Sequence, residues 1–152
     1  MVDPKIEADV WKRVMSCPAD QGQELTPEQV MELLTQELKG VCTYETLACR
    51  MRGQSAQRLR LLAAQERQHY RQLETIYYLR TGAKPCPDRP KMPCIACITE
   101  QLRRCYHDEI AAADRYSHLA QNAGSFASTL RCMAQEEQQH AQSILQILQS
   151  CL

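Results

Sequence analysis

Residues that favour β-sheets and membrane spans are scarce in this sequence. Its 152 residues include five glycines and one Phe, whereas Gln, Leu, Ala, Glu and Arg are abundant, so a helical fold is expected. The 18 basic and 18 acidic side chains cancel, which leaves no net charge to attract nucleic acid or an anionic membrane. No apolar run approaches the roughly 18–20 residues of a membrane-spanning helix. The charged residues 1–13 lack the apolar core of a signal peptide, so the expected compartment is the cytoplasm.

Nine cysteines are many for such a protein, and an odd number does not suit a closed disulfide framework, so most are expected as reduced thiols. Cys94-Ile-Ala-Cys97 follows Pro93 at a predicted helix start, where the helix dipole lowers the pKa of a thiol. With Cys86 this pair could act as redox thiols or bind a metal, or all three could be plain reduced thiols in a loop. The cysteines within helices are expected in or near the core: Cys42, Cys105 and Cys132.

Hydrophobic periodicity predicts four amphipathic helices of about 25 residues or more. The first has a strong start signal, because Thr26, Pro27 and Gln29 form the pattern of an N-cap, an N1 proline and a capping box. The predicted organisation is an N-terminal extension of residues 1–25 and an all-α four-helix bundle of residues 26–152. The helices are expected at about 27–52, 55–80, 93–121 and 125–150, with a short extra helix at 4–15.

The connection between the second and third helices is long and contains four prolines. Residues 82–93 therefore cannot form a helix or a central strand. At ~3.1–3.3 Å per residue the segment can cover roughly 37–40 Å, about the length of a 25-residue helix. It can therefore run along the whole bundle and begin the third helix beside the beginning of the second. The expected fold is a bundle with a long crossover between these two helices.

The two halves of the chain carry the same polar residues at nearly the same spacing. Each half has a Glu, a Tyr seven residues later and a Glu-x-x-His further on. The second and fourth helices align at a constant offset of 71 residues, and the two glutamates of each half are 29 and 28 residues apart. A single Glu-x-x-His is common on a solvated helix face, but its duplication inside apolar stripes indicates a shared site. The residues are Glu37, Tyr44, Glu66 and His69, then Glu109, Tyr116, Glu137 and His140.

This pattern predicts a dinuclear metal site in the bundle core. Residues three apart on a helix lie on one face, so the Glu and His of each Glu-x-x-His can bind the same ion. Four buried carboxylates are too costly without compensation, whereas two divalent cations and two neutral imidazoles make the site neutral. The mixed oxygen and nitrogen donors suit iron or manganese. The predicted ligands are Glu37, Glu66, His69, Glu109, Glu137 and His140. Tyr44 and Tyr116 are either core residues or hydrogen-bond donors to ligand carboxylates.

Other polar residues near this pattern are expected to face solvent. Glu136 lies ~100° around the helix from the adjacent predicted ligand. Glu45 and Asp108 are displaced similarly from theirs, and His107 and His118 lie on the far sides of their helices. These five residues are therefore not predicted to belong to the site.

The duplicated pattern resembles that of the ferritin-like superfamily of diiron-carboxylate proteins, and most closely its rubrerythrin-like branch, over about residues 27–150. The resemblance implies two iron ions bridged by Glu66 and Glu137, with tyrosines that contact ligands. The chain departs from rubrerythrins at Ala112, where they carry an additional Glu, and in having one Cys-x-x-Cys instead of the two pairs of a rubredoxin domain. The terminal ligands implied are Glu37 with His69, and Glu109 with His140.

Three functions are compatible with these features. The leading hypothesis is a non-haem diiron oxidoreductase that acts on peroxide or O₂ and takes electrons from an external donor. The second is an iron-binding, storage or ferroxidase-type protein without other turnover, and the third is a metal-free helical interaction module. Manganese or a mixed-metal pair would suit the same ligands. Assembly discriminates between the first two, since a homodimer argues against a storage cage.

Overall fold

Four long helices account for most of the fold in the computed structural model, which describes residues 25–151. No strand occurs within that range, so the prediction of an all-α four-helix bundle is confirmed. The helix predicted at residues 4–15 lies outside the described residues. No helix between residues 25 and 151 is long and apolar enough to cross a membrane. The helices are α1 (Pro27–Arg50), α2 (Gly53–Thr81), α3 (Ile98–Leu119) and α4 (Ala127–Gln149), the last preceded by a 3₁₀ turn, Gly124–Phe126.

The start of α1 follows the predicted capping box. The backbone N–H of Gln29 donates to the Thr26 hydroxyl at 3.2 Å, and the Thr26 N–H donates to the Gln29 side-chain carbonyl at 2.9 Å. Both donors would otherwise be unpaired at a helix N-terminus. At the other end only residues 51 and 52 separate α1 from α2, so the two helices are antiparallel neighbours.

The crossover is longer than predicted, because α3 begins at Ile98 and not near Pro93. The carbonyl of Ile95 accepts a hydrogen bond from the Arg50 guanidinium, and the Ile95 side chain is buried against the bundle. These contacts hold the segment after the last proline in a non-helical conformation. Cys97 consequently occupies the N-cap of α3, with extended backbone angles (φ −130°, ψ 124°).

The apolar core forms two clusters, one at each end of the bundle. One cluster contains Leu34 of α1 and Leu73 of α2, with residues from the end of α3 and the beginning of α4. The other contains Leu59 of α2 and Leu102 of α3, both near the beginnings of their helices. The beginnings of α2 and α3 therefore lie at the same end, and α2 and α3 run in the same direction. This arrangement confirms the predicted full-length crossover.

The predictions for the three helical cysteines differ in outcome. Cys105 is buried in the second cluster, as expected of a near-core residue, and Cys42 is half-buried. Cys132 is exposed, so its predicted place in or near the core is wrong. It precedes the buried Met133 by one residue, and this step of about 100° places it on the outer face of α4.

Candidate metal centre

A layer of buried polar residues separates the two apolar clusters. All six predicted ligands lie in it, and none is more than 6% exposed. Every helix contributes to this layer, because the polar residues on the buried face of each helix lie at the same level along the bundle. Buried carboxylates and imidazoles at this density require compensating partners. The six are Glu37 from α1, Glu66 and His69 from α2, Glu109 from α3, and Glu137 and His140 from α4.

The two Glu-x-x-His pairs meet at the centre of this layer. Glu66, His69, Glu137 and His140 each offer one ligand atom, and these four atoms all lie within 4.8 Å of one another. The two imidazole rings stack with centroids 5.4 Å apart. Because i and i+3 share a helix face, α2 and α4 each present one carboxylate and one imidazole to the same point. Such a group of four could hold a metal ion.

Both histidines direct Nδ1 towards the carboxylates of the opposite helix. Nδ1 of His69 is 3.0 Å from Oε1 of Glu137, and Nδ1 of His140 is 3.1 Å from Oε1 of Glu66. Within α4, Nδ1 of His140 is also 2.8 Å from Oε2 of Glu137. Glu66 and Glu137 therefore approach both histidines, which is the geometry that two bridging carboxylates would have.

The glutamates of α1 and α3 lie on opposite sides of this central group. Oε2 of Glu37 is 3.5 Å from Nδ1 of His69, and Oε2 of Glu109 is 3.9 Å from Nδ1 of His140. Each is thus near a different histidine. The structure brings together all six residues, in the Glu37–His69 and Glu109–His140 pairs that the resemblance implies for terminal ligands.

Tyr44 and Tyr116 bind these outer glutamates across the bundle. The hydroxyl of Tyr44 on α1 donates to Oε1 of Glu109 on α3, and that of Tyr116 on α3 donates to Oε1 of Glu37 on α1. Burial and the adjacent glutamates raise the pKa of both tyrosines well above the usual value, so both remain protonated donors. Each tyrosine occupies one carboxylate oxygen and leaves the other, Oε2, directed at a histidine.

The electrostatics of the layer favour protonation of some ligands. Burial, followed by the nearby carboxylates, raises the pKa of Glu66 and Glu109 well above the usual value. Although burial alone would lower it, hydrogen bonds with Glu137 and Glu37 raise the pKa of His69 to about 11. Burial also opposes ionisation of Glu137, but hydrogen bonds from both histidines lower its pKa to about 2. Positive charge at this centre is therefore strongly favoured.

The donor atoms fit a dinuclear metal centre. Among the described residues, Glu37 Oε2, Glu66 Oε1 and His69 Nδ1 are buried without a well-aligned hydrogen bond. Buried polar atoms of this kind are rare in proteins unless another group satisfies them. Four carboxylates and two imidazoles supply the oxygen and nitrogen donors that divalent iron, manganese or zinc accept, and two such cations balance four negative charges.

Glu136 contacts the site, although its side chain remains 36% exposed, so the prediction that it faces solvent and lies outside the site is only partly right. Its Oε2 lies 2.6 Å from Nε2 of His69, on the side of the ring away from the carboxylates. A residue ~100° around α4 from Glu137 still faces the neighbouring α2, and a Glu side chain is long enough to span that interface. The residue before a ligand can thus support a histidine of another helix, which the spacing within a single helix does not indicate.

This support is present for only one of the two histidines. The position equivalent to Glu136 in the first half, 71 residues earlier, is Gln65. Nε2 of His140 is buried and has no hydrogen-bond partner among residues 25–151. Because a carboxylate on the outer nitrogen orients an imidazole and makes it a better ligand, the two histidines would differ as metal ligands.

Glutamine at position 136 is expected to weaken one metal position selectively. Glu136→Gln retains a polar contact to His69 but removes its charge, so affinity at that position should fall about 10–100-fold. Cobalt(II) titration followed by absorbance would then show two separated binding steps. Glu45→Gln removes an exposed glutamate that pairs with Arg67 and should leave the titration unchanged. Equal weakening of both steps in Glu136→Gln would contradict the assignment.

Gly40 is a second residue that the sequence alone did not reveal. A Cβ atom at this position of α1 would lie 3.3 Å from both Cγ and Cδ of Glu66, closer than ordinary van der Waals contact. The glycine thus allows the Glu66 carboxylate to occupy its place beside α1. Glycine within a helix lowers its stability by roughly 0.5–1 kcal/mol relative to alanine, so the space for Glu66 is obtained at some loss of helix stability.

Gly40→Ala is expected to separate metal binding from stability. The added methyl group should shift Glu66 and lower metal affinity about tenfold, which is similar to the loss of a supporting contact to a ligand. The metal-free protein should melt at the same temperature or slightly higher, since alanine favours the helix. Metal titration and thermal melts of the metal-free form measure both effects. Unchanged affinity would show that Glu66 has room to move.

A cleft of about 850 Å³ reaches this centre from the surface between α1 and α3. Residues 91–93 of the crossover form part of its wall. Four of the six predicted ligands line it, whereas the two histidines are not among the lining residues. Small molecules can therefore reach the carboxylate face of the centre. The four are Glu37, Glu66, Glu109 and Glu137.

The cysteines of the crossover lie outside the centre. Cys86, Cys94 and Cys97 are exposed, and the described residues contain no second cluster of three or more metal-ligating groups. The Thr99 hydroxyl and backbone N–H groups at the start of α3 lower the pKa of Cys97. Cys105, which lines the cleft, behaves oppositely, because burial raises its pKa to about 11.

No family model matches this sequence, and no curated protein is significantly similar to it. The class of the protein therefore follows from its residues and their geometry. The chain is a four-helix bundle with a buried cluster of carboxylates and imidazoles that could bind metal.

Proposed function

We propose that this protein is a ferritin-like diiron-carboxylate protein that acts as a non-haem oxidoreductase on peroxide or O₂. The observation that carries the proposal is the convergence of Glu66, His69, Glu137 and His140 within 4.8 Å at the end of an open cleft. A metal-free interaction module would gain nothing from these buried ionisable groups, because burying them without a compensating cation costs free energy.

Each residue has a defined part in this proposal. Glu66 and Glu137 would bridge two metal ions, and the other four ligands would each complete one of the two coordination spheres. A pair of bound irons supplies two electrons for the reduction of peroxide or O₂. Tyr44 and Tyr116 keep the outer glutamates oriented by donating hydrogen bonds. The apolar clusters at the two ends of the bundle shield the layer from solvent on those two sides, which strengthens the electrostatic interactions within it.

Turnover requires a source of electrons, and we propose an external donor for this role. The exposed Cys94 and Cys97 are candidates for a redox thiol pair at the surface. We further propose a homodimer, which light scattering measures directly and which distinguishes an oxidoreductase from a storage cage. Manganese or a mixed-metal pair would use the same ligands.

Anaerobic loading with iron(II) followed by peroxide tests the proposed reaction. The loaded protein should develop the near-ultraviolet absorption of an oxo-bridged diiron(III) centre within one turnover. A variant with Glu137→Ala should show no such band, whereas Glu74→Gln, on the outer part of α2 near Lys84, should behave as the unchanged protein. If iron binds and peroxide produces no spectral change, the chain is a metal-binding protein without this activity.

A further inference from the structure

The cleft above the proposed metal centre is much larger than peroxide or O₂ requires. Its volume of about 850 Å³ compares with roughly 30 Å³ for a water molecule in the liquid. Clefts of roughly 300–1,000 Å³ are the usual size for organic ligands and cofactors. Gly40 and Ala112 contribute to this space, because neither fills it with a side chain of any length.

The rim of the cleft is basic although the chain as a whole has no net charge. Lys39 and Lys91 lie on opposite sides, one on α1 and one on the crossover, and both are exposed. Within residues 25–151 neither lysine has an ion-pair partner, so both ammonium groups are available. The remaining charged residues of the rim are Arg104, Arg115 and Asp108. Each arginine pairs with a glutamate outside the cleft, Arg104 with Glu100 at 3.4 Å and Arg115 with Glu32 at 3.0 Å.

Apolar side chains also line the cleft. Met92 is 69% exposed beside Lys91, and Pro93 also lines the wall. Methionine has a flexible, polarizable side chain and adapts to ligands of varied shape. The cleft therefore offers cationic groups at its mouth, apolar contacts on its wall and metal-ligating carboxylates at its floor.

We propose that this cleft binds a small organic anion, namely a carboxylate or phosphate monoester with an apolar body. The acidic group lies between Lys39 and Lys91, and the apolar body packs on Met92 and extends towards the centre. The inference rests on the proposed function, because bound cations neutralise the four glutamates that would otherwise repel an anion. Its chemical class distinguishes this ligand from O₂ and peroxide, which have neither an acidic group nor an apolar body.

Binding of matched probes to the full-length protein loaded with zinc(II) tests the proposal. Zinc is redox-inert, so binding is measured without turnover, and elemental analysis of the same sample reports metal content. Titrations followed by calorimetry compare benzoate and phenyl phosphate with the uncharged benzamide. We expect the two anions to bind at least about tenfold more tightly than benzamide at low salt, and this advantage to shrink as salt screens the lysines.

The variant Lys39→Gln/Lys91→Gln should weaken binding of both anions about threefold to tenfold and leave benzamide unchanged. Lys84→Gln, an exposed lysine outside the cleft, is the matched control and should have no effect. Equal affinity for benzoate and benzamide would overturn the inference and leave the metal centre intact. Anion binding that is unaffected by the double variant would also overturn it, because the anion would then be held by the metal alone. A protein that binds no zinc would instead contradict the proposed function, and the inference with it.

Discussion

Glu66→Gln is expected to abolish the dinuclear centre and to stabilise the metal-free protein. Loss of a bridging carboxylate removes one ligand from each ion, so affinity should fall more than about a hundredfold, beyond the effect of losing a supporting group. Burial raises the pKa of Glu66 in the folded chain above its pKa in the unfolded chain. Protonated Glu66 therefore contributes fully to stability at pH values below the pKa of the unfolded chain, and this contribution is lost as pH rises. At neutral pH the unfolded chain ionises Glu66 whereas burial opposes its ionisation in the folded chain, so this residue destabilises the metal-free fold, and a neutral glutamine removes that cost.

Elemental analysis and thermal melts of the metal-free form measure both parts of this prediction. Glu74→Gln is the matched control, because Glu74 lies two turns further along the same helix and is partly exposed. It should retain two metal ions and the original melting temperature. Lower stability of metal-free Glu66→Gln would show that the carboxylate is a net stabilising group without metal, contrary to the electrostatics of the layer.

Metal affinity is expected to rise steeply with pH. In the metal-free protein His69, whose pKa is about 11, holds a proton near neutrality, and the raised pKa values of Glu66 and Glu109 favour their protonated forms. A metal ligand must be deprotonated, so binding releases these protons. Each proton released per ion gives about a tenfold gain per pH unit, so affinity should rise at least about a hundredfold from pH 6 to pH 8.

The same pKa values determine how the stability of the metal-free fold changes with pH. The charged His69 stabilises it fully below pH 6.5, and this contribution is lost as pH rises through about 11. Glu137, with a pKa of about 2 in the folded chain, stabilises the fold at pH values above its pKa in the unfolded chain. This stabilisation is lost as pH falls through about 2. Competition with a chelator of known pH dependence, supported by calorimetry in two buffers, measures proton release. A pH-independent affinity would mean that the ligands are already deprotonated without metal.

The sequence contains most of the information that specifies the fold and the central ligands. Local signals are sufficient where the physics is local, as at the Thr26 capping box and at Gly82, which ends α2 with φ 70°. The duplicated Glu-x-x-His also predicts contacts between residues far apart in the sequence, because helical periodicity places Glu66 and Glu137 on the buried faces of their helices. The length and proline content of residues 82–93 are sufficient to predict that this segment runs along the whole bundle and that α3 begins beside the beginning of α2.

The remaining features depend on contacts between helices that periodicity does not describe. The hydrogen bond from His69 to Glu136 depends on the separation of α2 and α4, and the space at Gly40 depends on the rotamer of Glu66. The start of α3 is set by the burial of Ile95 and its contact with Arg50 rather than by Pro93. In each case a tertiary contact outweighs the local preference.

The most direct test of the central claim is metal analysis combined with anomalous scattering on crystals of protein expressed in iron-supplemented medium. We expect two iron ions per chain, with both anomalous peaks between the carboxylates of Glu66 and Glu137 and each peak near one histidine Nδ1. Protein that contains no transition metal after such expression, with no anomalous peak in this layer, would contradict it.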